Sequence, residues 1–187
     1  MSEALSLSNI MRHCRQRWQA LPDYRKPNNN MRYAIADAAL AALSVFFMQS
    51  ASFLAHQRDM EQRKRSNNGR MLFGIEKIPS DNQLRNLLDP LTPDHFQADF
   101  EWVMAEMAVT GTLDAFRVYE GSLLVALDGL TYHSSTNVHC DNCSQRQDSQ
   151  GMTHYYHSAI TPVVVKPGSP HVLPLSPEFI VPQDGHE

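Results

Sequence analysis

Ser122-Leu123-Leu124-Val125-Ala126-Leu127-Asp128-Gly129 is the stretch whose reading decides the fold. Leu123 to Leu127 is an uninterrupted apolar run of strand length, and Asp128-Gly129 is a turn-forming pair that closes it. An uninterrupted run reads as a strand buried on both faces. Two more strand candidates follow. Tyr155 to Val165 is rich in β-branched and aromatic residues. Val172 to Val181 carries Pro174 and Pro177, which push it toward an edge or irregular strand. Residues 133–153, between the first two, are polar and dense in His, Cys, Asp, Asn and Gln.

Ahead of this stretch the period changes to that of helices. Residues 7–20 place Ile10, Met11, Cys14 and Trp18 on one face, and Leu21-Pro22-Asp23 ends them. After a polar loop at 23–30, an Ala-rich helix is predicted from about Met31 to Met60. Ser80 or Asp81 caps a helix carrying Leu84, Leu87 and Leu88, and Thr92-Pro93-Asp94 opens another that ends near Thr110-Gly111. The fold class is α+β: a helical region over 1–118 and the start of a strand-rich unit over 119–187. Three strands with no helix to cover them cannot bury both faces of the first. The expectation is an amino-terminal piece of something longer, with exposed apolar strand faces and poor solubility.

The 187 residues allow a core of real size; 42% hydrophobic and 19% charged residues are both somewhat below the globular average, but not the polar, charge-heavy balance of a disordered chain. The net charge of −4 argues against a purely basic nucleic-acid binder. It hides an asymmetry: residues 1–70 hold eleven Lys and Arg against five Asp and Glu, and residues 71–187 hold five against fifteen. A basic front suits a polyanion and an acidic back suits cations. The first eighteen residues have no apolar signal core. The apolar run from Ala38 to Met48 is shorter than the ~20 residues a bilayer needs, so no membrane partner is expected. Three cysteines make no disulfide framework, and a reducing cytoplasm is the expected setting.

Three groups of residues have chemistry to offer. Asp128, at the end of an apolar strand, reads as a turn residue or as an oxygen ligand for a hard cation such as Mg²⁺. Cys140 and Cys143 form a C-x-x-C, which His154 and His157 would complete as a tetrahedral zinc site. The opposing reading is a loop with reduced, unliganded thiols. His154 and His157 are three apart at the start of a strand, so their side chains point to opposite faces. His133 and His139 lie in the same polar stretch. The third group is basic: Arg58, Arg63, Lys64 and Arg65, with Arg85 in the polar run Asp81-Asn82-Gln83-Leu84-Arg85-Asn86. Such side chains contact phosphates and base edges, or simply form a solvated surface.

Four stretches in this order carry a resemblance: Leu21-Pro22-Asp23-Tyr24-Arg25 before the Ala-rich helix; Ile78-Pro79-Ser80-Asp81-Asn82-Gln83-Leu84-Arg85 with Leu88-Asp89-Pro90; Leu127-Asp128-Gly129-Leu130-Thr131-Tyr132-His133-Ser134-Ser135; and His139-Cys140-x-x-Cys143 with Thr153-His154-Tyr155-Tyr156-His157. Together they resemble the DDE-type transposases of bacterial insertion sequences. The resemblance implies a ribonuclease-H-like core whose first three strands are 122–127, 155–165 and 172–181. It implies that Asp128 is the first of three carboxylates that hold two Mg²⁺ ions for phosphoryl transfer at the element's DNA ends. The second Asp and the final Glu of that pattern lack matches here; Glu178, Asp184 and Glu187 do not take those roles. The expected partners are DNA and this chain itself or a full-length copy. The chain alone is expected to be inactive. The alternatives are a non-catalytic DNA-binding remnant and a zinc-stabilised interaction module.

Overall fold

A computed structural model describes residues 5–26, 31–62, 68–75 and 78–182. Its contacts divide the chain into two compact units, Met1–His95 and Phe96–Glu187. The sequence reading places that boundary at 118/119. The turns just before the first strand are tied to the strands. Arg117 bridges Leu123, and Lys166 Nζ donates to the Ala115 carbonyl at 2.6 Å.

The first unit is helical: α1 (Leu7–Trp18), α2 (Ile35–Phe47), α3 (Phe53–Gln62), α4 (Asn68–Phe73) and α5 (Asp81–Leu88). Helix α1 starts where Ser6 Oγ accepts from the Asn9 N–H, and it buries Met11, Cys14 and Trp18. Helix α2 is the core element. Small side chains let it be covered nearly all round, with Ala38, Leu40, Ala41 and Ser44 fully enclosed. Helices α1, α3, α4 and α5 all pack on it.

The single helix predicted from about Met31 to Met60 is two helices. The chain turns at Gln49, whose φ is 51°, and Ser52 Oγ accepts from the Ala55 N–H to start α3. Buried His56 closes the corner: its Nε2 lies 2.9 Å from Ser44 Oγ and its Nδ1 lies 2.9 Å from Ser50 Oγ. Arg15 of α1 is a second pin. It reaches Asp37 of α2 at 3.1 Å and donates to the Phe73 and Gly74 carbonyls at 2.9 Å each. Helix α5 begins as read, with Ser80 at its N-cap.

Helix α6 (Asp94–Val109) begins two residues before the second unit and leads into it; Thr110 and Gly111 end it, where Gly111 takes φ 69° and the Thr110 hydroxyl donates to the Glu106 carbonyl. Short 3-10 turns at Thr112–Phe116 and Tyr119–Gly121 lead into an antiparallel sheet. Its strands are β1 (Leu124–Ser135), β2 (Ser144–Gln147), β3 (Thr153–Val165), β4 (Leu173–Pro174) and β5 (Glu178–Ile180). Strand β3 is central. Strand β1 pairs along one edge of it, from Leu124↔Val165 to Ser135↔Tyr155. Strands β2, β5 and β4 line the other edge in turn.

Three strand expectations change. The first strand does not close at Asp128-Gly129: it runs on to Ser135, because Asp128 and Gly129 pair with Thr161 and Ile160 of β3. A long antiparallel ladder overrides a local turn preference. Nor is this strand buried on both faces. Leu124, Val125, Leu127 and Leu130 are between 43% and 71% exposed, so both faces of β1 are open. The segment 172–181 is not one strand but two short ones, β4 and β5, separated by Leu175-Ser176-Pro177. The polar stretch 133–153 contains β2 as well as the end of β1. Among the described residues no helix is long and apolar enough to cross a membrane.

Candidate metal centre

The site is built at one end of the sheet, from the loop between β1 and β2. Ser135 Oγ accepts from the Asn137 and Val138 N–H groups, which folds the chain back as β1 ends. The His139 ring then stacks on Tyr155 of β3, with centroids 4.3 Å apart. Next, Cys140-Asp141-Asn142-Cys143 forms a tight turn: the Cys143 N–H donates to the Cys140 carbonyl at 3.1 Å. Asp and Asn are common turn residues, and this turn brings both thiols to one side. The Cys140 N–H also lies 3.3 Å from Cys143 Sγ.

His157 of β3 meets this turn. Its Nε2 is 3.3 Å from Cys140 Sγ and 3.2 Å from Cys143 Sγ, and the two sulfurs are 3.8 Å apart. Zn–S bonds of about 2.3 Å and Zn–N bonds of about 2.0–2.1 Å give tetrahedral edges of about 3.8 Å for S···S and about 3.5 Å for S···N. The three atoms therefore stand at nearly the spacing one such ion imposes. Among the described residues this is the one group of three ligating side chains close enough to share an ion. Cys143 is buried, His157 half-buried and Cys140 exposed. None of the three cysteines is in a disulfide.

Aromatic rings pack beside the group. Tyr132 stacks on His157 at 5.7 Å and meets Phe179 edge-on at the same distance. Burial pushes the Tyr132 hydroxyl above the usual phenol range, and the Cys140 and Cys143 sulfurs act in the same direction.

His154 is not part of the group. Strand alternation turns it to the opposite face of β3, as its i, i+3 spacing from His157 requires. There its Nε2 lies 2.9 Å from Asp148 Oδ2. The same carboxylate accepts from the Gln150 and Met152 N–H groups and so shapes the turn between β2 and β3. The His154 hydrogen bond, followed by those backbone bonds, holds the Asp148 carboxyl below the usual carboxylate range. The proposed set of Cys140, Cys143, His154 and His157 thus reduces to three.

The other predicted residues fall elsewhere. Asp128 is exposed in the middle of β1. Its same-face neighbours along and across the strands are Ala126, Leu130, Ala159, Thr161 and Val163, none of them a carboxylate. Arg58 is exposed on α3, and Arg85 is exposed on α5, 3.4 Å from Asp81. Arg63, Lys64 and Arg65 lie outside the described residues. Sequence reasoning missed a grouping in the first unit. Arg25, Arg32, Tyr33, Gln83, Asn86 and Leu87 line one surface hollow. It joins the Leu21–Arg25 and Ile78–Arg85 stretches, which are far apart in sequence. Within it Arg25 is engaged by Asp23 and by the Tyr33 carbonyl, while Arg32 is exposed.

Comparison with protein-family models, curated proteins and solved structures gives no match to this chain.

Proposed function

We propose that this chain is an amino-terminal portion of a DDE-type transposase, which binds DNA through its helical unit and carries an unfinished phosphoryl-transfer core. The observation that carries the reading is the hollow lined by Arg25, Arg32, Gln83 and Asn86. It gathers cations for phosphates and amides for base edges, and two of these residues, Arg25 and Gln83, come from stretches on which the family resemblance rests. Charge supports it. The first unit has thirteen Lys and Arg against nine Asp and Glu, while the second has three against eleven. The open faces of β1 and its partners fit a core that further elements would cover.

Asp128 offers the first carboxylate of such a core. Mg²⁺ takes octahedral oxygen coordination, and when bound it activates a nucleophile and stabilises the leaving oxygen. The neighbours of Asp128 on the sheet do not complete that shell. The chain by itself therefore binds DNA without cutting it, in the reducing cytoplasm where its thiols stay free. Incubating the purified 187-residue chain with Mg²⁺ and duplex DNA tests this. Complexes with intact DNA are expected. Cleavage products would overturn the inactivity, and absence of binding would overturn the reading.

The Cys140, Cys143 and His157 spacing favours a second, compatible reading: zinc holds the β1–β2 loop onto β3. A chelator is expected to lower the melting temperature of the sheet unit and leave the helical unit's transition in place. Unchanged melting would count against it.

A further inference from the structure

A tetrahedral zinc ion needs a fourth ligand, and His154 does not supply it. We propose that His133 does, making a Cys₂His₂ site of Cys140, Cys143, His157 and His133. The inference rests on the zinc reading of this group.

The register of β1 against β3 carries the argument. From Leu124↔Val165 to Thr131↔Ser158 the two strands pair one to one. The register then shifts, and His133 pairs with His157. Tyr132 is the extra residue of a β-bulge. Without it His133 would stand opposite Tyr156, on the face turned away from the thiols. With it, His133 stands directly opposite His157, on the same face of the sheet. Re-aiming a side chain is what such a bulge does, and bulges gather beside functional sites. The displaced Tyr132 is retained against the site, stacked on His157.

The distances fit. The His133 and His157 ring centroids are 5.9 Å apart, and two imidazoles on one tetrahedral ion stand about 5 Å apart, given Zn–N bonds of about 2.0–2.1 Å and the ring size. His133 Nε2 lies 3.3 Å from the Val138 carbonyl, which belongs to the same loop as the thiols. The proposal requires a side-chain rotation in which His133 gives up this one long contact and turns its ring to the group. The other nearby imidazole, His139, is instead stacked on Tyr155.

The test uses the full chain, zinc and X-ray absorption. The wild-type chain is expected to bind one zinc with two sulfurs at about 2.3 Å and two nitrogens at about 2.0–2.1 Å. His133→Gln is expected to weaken zinc binding by about 100-fold, the upper end of what even outer partners of a ligand contribute. His139→Gln and His154→Gln are expected to leave affinity and spectrum unchanged. His133→Cys guards against misfolding: it is expected to bind zinc with three sulfurs, a signature only a position in direct reach of the ion can give. If no variant and no wild-type chain binds zinc, the zinc reading fails and the proposal with it. If zinc binds but His133→Cys still shows two sulfurs, the proposal alone is overturned.

Discussion

His56 shows how one side chain fixes a corner of this protein. It is 2% exposed and holds Ser44 and Ser50 through its two ring nitrogens. Burial pushes its basicity below the ordinary histidine range, and Asp59 opposes only in part. The folded state therefore prefers neutral His56 more strongly than the unfolded chain does. That preference contributes stability in full above the unfolded value of about 6.5, and it is lost as pH falls below it. Chemical denaturation of the chain at pH 7 and pH 5 checks this: the helical unit is expected to be less stable at pH 5. A His56→Gln variant is expected to show a smaller difference between the two. At the same scale, the site's membership was half legible. The C-x-x-C stands out in the sequence, and β alternation indicates that His154 and His157 cannot both join it, but not which one does. His133 could not be chosen, because its face depends on a bulge at Tyr132 that no Gly or Pro announces.

Element boundaries were legible where side chains cap the backbone and illegible where pairing decides. Helices α5 and α6 begin close to the residues read for them, since Ser80 and the Thr92-Pro93-Asp94 run are start signals. At α5 the Gln83 side chain accepts from the Ser80 N–H at 3.2 Å and from its hydroxyl at 3.3 Å. Ser80→Ala is expected to cost about 1 kcal/mol, measured as a shift in the helical unit's denaturation midpoint. An unchanged midpoint would show that the cap is not formed in solution. The break between α2 and α3 carries no Gly or Pro. It rests on Gln49 in a left-handed conformation and on the Ser44, Ser50 and His56 contacts, which lie twelve residues apart in sequence at their widest. Asp128-Gly129 failed in the opposite direction: a turn signal was present, but pairing to Thr161 and Ile160 kept the strand extended.

Across the whole molecule, the α+β class and the order of helices before strands follow from where apolar spacing changes period. What no local pattern reveals is the hollow that joins Arg25 and Arg32 to Gln83 and Asn86, since it forms only when α5 packs on α2. The proposed contact with DNA is made at that hollow. The most direct measurement is the salt dependence of duplex DNA binding, followed by fluorescence anisotropy, for the wild-type chain and Arg32→Ala. Log K is expected to fall linearly with log salt, and losing one phosphate contact at Arg32 is expected to reduce the slope by about 1. Binding that ignores salt, or a slope that Arg32→Ala leaves unchanged, would contradict it.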